Sequence, residues 1–208
     1  QLFNVPVSMD PTSTFSILNS EGGYTNEALD NNGKGRNYGV ELTFEQFLHH
    51  DFYFLLSSSV FDSKYRAANG NWYNTRFNGN FATTFTAGKE IKTGQGFKNR
   101  IVGVNIKTIY AGGLRNTPID LNESKLQGET VYQEYEAYSL KAKDYFRTDV
   151  KFSLRRNRPK STVTWSIDIQ NVSNTKNIFG DYFDPLSGTT KTSYQAPLIP
   201  ILSYKMDF

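Results

Sequence analysis

The two carboxylates best placed to do chemistry are Asp149 and Asp168, which sit in the segments Tyr145–Arg155 and Thr162–Asn171. If the connection at Arg156–Ser161 closes symmetrically, residue 155 pairs with 162 and 149 with 168, so the two acids meet face to face. A carboxylate pair of that kind serves general acid–base work in glycoside hydrolysis. However, Arg147 and Lys151 fall one step to either side of Asp149, and cations at diagonal cross-strand positions favour a neutralised network over a catalytic pair. His49 and His50 are adjacent, so on a strand they point to opposite faces and cannot share a metal. Asp30-Asn31-Asn32-Gly33-Lys34-Gly35 begins like an acidic calcium loop but lacks the downstream bidentate Glu, and reads as a flexible surface turn. Gly94-Gln95-Gly96 has the glycines of a phosphate cradle without a following helix or Lys-Ser/Thr pair, and reads as a hairpin connection. With no Cys in the chain, disulfides, thiolate metal sites and cysteine nucleophiles are excluded. The residues therefore predict no catalytic centre, no cofactor and no metal site, so the chain is not expected to be an enzyme.

The elements that carry these residues are strands. In Tyr38–Phe44, the residues Tyr38, Val40, Leu42 and Phe44 alternate with Gly39, Glu41 and Thr43, and Glu45 continues the polar set. The same period of two runs through Phe77–Ile91, Ile101–Gly112, Tyr145–Arg155, Thr162–Asn171 and the closing Leu198–Phe208. Phe52–Phe61 is apolar on both parities at its start, which makes seven strands in all. A short helix is expected within Glu129–Ala142. Aromatic residues make up 15% of the 208 residues although charge nearly cancels at +3, and that balance gives no argument for nucleic acid. No apolar run approaches the roughly 18–20 residues of a spanning helix.

Connection lengths alternate. Short ones fall at Phe47–Asp51, Lys92–Arg100 and Arg156–Ser161, and long ones at Asp62–Thr75, Gly113–Asp144 and Val172–Ala196. Greek-key sandwiches mix lengths without that order, whereas a transmembrane barrel puts turns on one side and loops on the other. Segments of about 9–11 residues match a tilted bilayer crossing, while soluble strands average about 5–6. The polar face is charged as well, at Glu41, Glu45, Lys107, Arg147, Asp149, Lys151 and Asp168, which a wet lumen tolerates. Rings collect at strand ends (Tyr38, Phe52, Tyr53, Phe77, Tyr110, Tyr145 and Phe208) as an interfacial girdle requires. The expected fold is an all-β, antiparallel transmembrane β-barrel. Seven strands cannot close a single-chain bacterial barrel, and an open edge in lipid costs on the order of several kcal/mol per unpaired group. The chain is accordingly expected to be a C-terminal fragment, with residues 1–35 an extracellular loop and strand tip, and 36–208 the strands, turns and loops.

Several stretches, in order, carry a resemblance: QLFNVPVSMDPTSTFSILN, GKGRNYGVELTFEQFL, YFLLSSSVFDSKY, RFNGNFATTFTAGKEI, AGGLRNTPIDL, DYFRTDVKFSL, IDIQNVSNTKNIF and the SYKMDF ending. Together they resemble the C-terminal part of a TonB-dependent outer-membrane receptor, in the branch with an extra periplasmic carboxypeptidase-regulatory-like domain. The resemblance implies a 22-stranded barrel in the outer membrane of a Gram-negative bacterium, active import of a ligand, an N-terminal plug domain and coupling to TonB through the N-terminal region. Implied partners are outer-membrane lipid and, in some members, a surface lipoprotein. Leu202, Tyr204, Met206 and Phe208 resemble the terminal signal by which such barrels are inserted. Pro197 and Pro200 remove ladder donors, so regular pairing of the last strand is expected from about Ile201. In Gly113–Asp144, Asp120, Glu123, Tyr132, Tyr135 and Tyr138 either contact ligand or only pack over neighbouring loops. The alternatives are a passive or structural barrel, such as an adhesin or secretion component, and a soluble carbohydrate-binding sandwich.

Overall fold

In the computed structural model, which describes residues 1–20, 25–94 and 99–208, the chain is all-β and antiparallel. The strands in chain order are β1 (Leu2–Ser8), β2 (Leu29–His49), β3 (Phe52–Arg66), β4 (Trp72–Asn74), β5 (Phe81–Thr93), β6 (Arg100–Ala111), β7 (Arg115–Asn116), β8 (Leu140–Lys141), β9 (Tyr145–Arg158), β10 (Ser161–Gln170), β11 (Ile178–Asp184), β12 (Thr189–Tyr194) and β13 (Ile199–Asp207). One helix, α1, spans Leu121–Gln127. The main sheet runs β1-β2-β3-β5-β6-β9-β10-β13, with β4 on the end of β3; β7–β8 and β11–β12 form separate two-stranded ribbons. Each expected segment contains a main-sheet strand, and successive main-sheet strands pair antiparallel, through two-residue turns after β2 and β9 and through long loops after β6 and β10.

Register explains the alternation. One row across the sheet reads Glu45, Leu55, Thr86, Lys107 and Asp149. The next reads Tyr53, Gly88, Asn105, Lys151, Asp168 and Ile201. Glu41 and Arg147 fall on this same face, opposite Ser59 and Ile109. The other face carries rows such as Phe54, Ala87, Ile106, Val150, Ile169 and Pro200. Among the described residues no second layer covers it: Val40 is 78% exposed, Leu202 78% and Trp165 57%. The wall is a single sheet with an uncovered apolar side and a charged side.

Turns at one end are tight. His50 and Asp51, both at positive φ, join β2 to β3, the backbone that a two-residue I′ hairpin needs. Pro159-Lys160 joins β9 to β10, with Ser161 opposite Arg158. This two-residue turn, where Pro fixes the first φ, moves the register by two residues from the symmetric closure. Asp168 therefore faces Lys151, and Asp149 faces Lys107 from β6, so the two acids do not oppose each other.

Other expectations are corrected. Asp30–Gly35 is not a turn but the outer part of β2, paired with β1 through Val5↔Gly33 and Leu2↔Gly35. A side chain at Gly33 would meet Val7 Cγ1 at 2.5 Å, so the missing Cβ is what lets β1 dock. Phe77–Asn80 is a loop, and β5 begins only at Phe81. The helix lies at Leu121–Gln127 rather than within Glu129–Ala142, where the structure has only a 3₁₀ turn at Glu134–Glu136. Asp120 caps its start, accepting from the Asn122 and Glu123 N–H groups, and left-handed Gly128 ends it. β13 starts at Ile199 with Pro200 opposite Ile169; as the last strand of this sheet it tolerates a residue without a donor. Gln95 and Gly96 lie outside the described residues.

Candidate functional site

The loop end, opposite the tight turns, holds most of the packed interior. Its buried residues are largely polar: Ser16, Asn78, Ser124 and Asn171 are among the most enclosed side chains, beside Tyr65 and Val7. Buried polar atoms must be hydrogen-bonded, and asparagines do this here by bridging loop backbone to wall. Asn78 donates from Nδ2 to Asp62 Oδ1 and to Asn74 Oδ1, both at 2.9 Å, and its Oδ1 accepts from the Ser63 N–H at 3.0 Å. Asn177 both accepts from the Phe146 N–H and donates to the Phe146 carbonyl, each at 2.9 Å. Asn171 donates from Nδ2 to the carbonyls of Thr175 and Ala196, and its own N–H reaches Asp149 Oδ1 at 2.8 Å.

These anchors hold three segments around one cleft. The N-terminal segment is fixed by Tyr65, whose hydroxyl donates to the Thr14 carbonyl at 2.7 Å, while Thr14 Oγ1 donates to the Glu134 carbonyl at 2.9 Å. The Gly113–Asp144 loop is drawn together by β7–β8 and by the Ile119↔Tyr132 bridge. Arg115 reaches back to the Asn78 carbonyl and Asn80 Oδ1, each at 3.0 Å. The β11–β12 hairpin docks through the Phe183 N–H, which donates to Thr130 Oγ1 at 2.9 Å, with the Phe183 ring buried.

Between them lies a cleft of about 1130 Å³, lined by Ser16, Arg76, Arg115, Tyr132, Glu134, Tyr138, Lys141, Asp181, Tyr182 and Thr192 among others. Burial, with Glu27 adding repulsion, holds the Glu134 carboxyl above the usual carboxylate range. Burial likewise pushes the Tyr138 phenol up, so it stays a hydrogen-bond donor. Tyrosine faces with donors and acceptors of both charges suit a large, polar, hydrogen-bonding solute. A smaller recess of about 350 Å³ lies on the charged face near the turn end, between Tyr53, Glu90, Asn105 and Lys151. There Asn105 Nδ2 donates to Tyr53 Oη at 2.8 Å. Gly88 admits the Tyr53 ring, which a Cβ would meet at 2.5 Å.

The seven charged wall residues share a face but do not join in a single network. Arg147 grips Asp149 on its own strand with a two-pronged contact at 2.7 and 2.9 Å, the strong geometry for such a pair. Glu41 accepts from Ser57 Oγ at 3.0 Å. Lys107 and Lys151 stand opposite Asp149 and Asp168 in register, and Glu45 stands opposite Leu55. Of the loop residues singled out above, Tyr132 and Tyr138 line the cleft. Asp120 is occupied as the α1 cap, Glu123 accepts from Gln127, and Tyr135 points outward, 71% exposed. Leu202, Tyr204 and Met206 lie in register with Ile167, Trp165 and Val163, and Phe208 is exposed beyond them.

His49 and His50 do not point apart. The positive φ of His50 swings its ring back to 3.9 Å from that of His49. No group of three metal-ligating side chains occurs among the described residues. The sequence reading missed Arg76, Arg115, Asp181 and Tyr182 because hydrophobic period carries no signal in irregular loops. It also missed the β11–β12 hairpin, whose tip Asp184-Pro185-Leu186-Ser187-Gly188 is a turn signature. Compared with protein-family models, curated proteins and solved structures, the chain matches none.

Proposed function

We propose that this chain is part of the wall and outer loops of an outer-membrane β-barrel that imports a ligand, of the TonB-dependent receptor kind. The cleft at the loop end catches the ligand at the cell surface. The charged face lines a lumen closed by a plug from the rest of the protein, and energy comes through TonB from the inner membrane. A surface lipoprotein completes the cap in members of the family that carry one.

The observation that carries this reading is the uncovered, mainly apolar face, whose rows cross the main sheet with Lys89, the Ser58–Thr83 pair and the Thr108–Thr148 pair as polar members. Rings mark its two limits. Trp165 and Tyr204 meet at 4.5 Å near the turn end, and Phe81, Tyr110 and Phe146 form a chain at 5.0 and 6.4 Å near the loop end. Trp165 lies in the row of Val102, eight residues before Tyr110 on β6, about 27 Å along a strand. A strand tilt of roughly 35–45° turns that into about 19–22 Å across the bilayer, within the roughly 25 Å apolar band of such barrels.

The test uses the whole protein in lipid vesicles, with single cysteines carrying spin labels. Labels at Val104, Ile106 and Leu202 should be reached by oxygen dissolved in lipid, and labels at Asn105, Lys107 and Ser203 by a water-soluble nickel reagent. Loss of that alternation overturns the barrel. In a planar bilayer a plugged importer passes no steady current, whereas an open conducting pore would point to a passive barrel.

A further inference from the structure

At the turn end the apolar face finishes in arginines. Arg100 and Arg156 are direct cross-strand partners between β6 and β9, and Arg156 lies opposite Val163. Both share the face of Val102 and Leu154, the row immediately before them. Arg158 follows on the same side, opposite Ser161. Like charges placed directly across a ladder repel, so this pair needs an anion.

Among the described residues no side-chain carboxylate supplies one. The carboxylates at this end already have cations: Glu90 holds Arg155 at 3.3 Å, Asp51 holds Lys92 at 3.7 Å, and Asp207 holds Lys205 at 2.9 Å. Glu90 and Asp207 also belong to the charged face, in register with Gly103 and Thr162. Residues 95–98 contain no acid. Arg100 and Arg156 form no ion pair among the described residues, and the Nε of Arg156 is buried without a hydrogen-bond partner. One row toward the middle of the face stands the Trp165–Tyr204 pair, the kind of aromatic contact that marks the level of lipid headgroups.

We propose that Arg100 and Arg156, assisted by Arg158, bind the phosphate of an anionic phospholipid in the leaflet at the turn end. The guanidinium fork matches phosphate oxygens two at a time, and the acyl chains lie along Leu154, Val102 and Trp165. This rests on the reading that the apolar face meets lipid.

The test places the whole protein in nanodiscs of phosphatidylcholine with one-fifth phosphatidylglycerol and counts retained lipids by native mass spectrometry. Wild type should retain phosphatidylglycerol with a preference on the order of tenfold. Arg100→Gln with Arg156→Gln should abolish the preference, and the double Lys variant should keep part of it, because charge remains while the fork is lost. Equal retention in the double Gln variant overturns the proposal, as does full displacement by 50 mM inorganic phosphate, which would mark an adventitious ion only. Brominated phosphatidylcholine supplies the separate readout on Trp165, taken as the difference in quenching between wild type and Trp165→Phe. Quenching without lipid preference defeats the headgroup site alone, and no quenching defeats the membrane reading with it.

Discussion

The wall and the loop end of this chain are built on opposite economies. The wall has long ladders, rows of exposed Val, Leu, Ile and Phe, and no interior of its own. The loop end has short strands and few apolar residues, yet it encloses Tyr65, Asn78, Ser124 and Asn171 almost completely. In the wall, long ladders pair the inner strands on both sides, while among the described residues most of β2 and all of β13 have a partner strand on one side only, and the apolar face must be satisfied from outside the chain. At the loop end, side-chain hydrogen bonds to backbone replace the ladder. The two regions should therefore answer to different perturbations: the wall to charge on its outer face, the loop end to loss of individual polar atoms.

The largest expected effect breaks the wall. Ile106 lies in the central row of the apolar face, opposite Val150. Ile106→Arg should destabilise the protein in vesicles by ~2–4 kcal/mol, the cost of a cation at mid-bilayer on a barrel's lipid side. Thr86→Arg, on the charged face beside Lys107, should cost well under that. Denaturant unfolding in lipid followed by Trp fluorescence measures both, and equal penalties would erase the distinction between the faces. Next comes the loop end: Asn78→Ala removes four side-chain hydrogen bonds and takes that partner from the Ser63 N–H, Asp62 Oδ1, Asn74 Oδ1 and Asn80 Nδ2. On the scale of unsatisfied buried groups it should cost ~1–3 kcal/mol. Hydrogen exchange should quicken across residues 62–80 and near Arg115 while β9 and β10 stay protected.

The same contrast decides what could be read in advance. Period two revealed six of the seven wall segments because each residue's face is fixed by parity alone, whereas Phe52–Phe61, apolar on both parities at its start, gave no face. Val102, Val104 and Ile106 could not have been placed otherwise. Turn length was a weaker signal: the two-residue turn at Pro159-Lys160 preserved the face of Asp149 and Asp168 but exchanged their partners. Loop residues had no parity to exploit. Asn78 and Asn171 fell within the expected strands Phe77–Ile91 and Thr162–Asn171, and Asn177 within a long connection; only the fold brings each against a wall strand as a loop anchor. α1 was legible in principle, since Asp120 with Glu123 and then Gly128 mark its ends.

Smaller effects sharpen the loop end itself. Tyr65 is fully enclosed, and its hydroxyl reaches only one segment, through the Thr14 carbonyl. Burial pushes its phenol above the usual tyrosine range, so it remains a donor at ordinary pH. Tyr65→Phe keeps the ring and removes the bond, at ~1 kcal/mol. Hydrogen exchange should rise over residues 8–19 and leave the β11–β12 hairpin unchanged. Exchange rising equally in both would mean that the loop end melts as one unit.

The smallest effect is a pH response confined to that hairpin. At its tip Asp184 takes hydrogen bonds from Lys191, Ser187 and the Leu186 N–H, which hold its carboxyl down at about 2. An unfolded Asp titrates near ~4. A group whose pKa falls on folding stabilises above its unfolded value and loses that contribution as pH drops through its folded one. The hairpin should therefore keep its latch at pH 5 and release it progressively between about pH 4 and pH 2. Pepsin, active across that window, should cut near Phe183 and Leu186 much faster at pH 2 than at pH 4. Asp184→Asn removes the titration and should be cut at similar relative rates at both. If the wild type shows no more change than this variant, the Asp184–Lys191 contact does not hold the tip. The hairpin then depends on Phe183 and Thr130 alone.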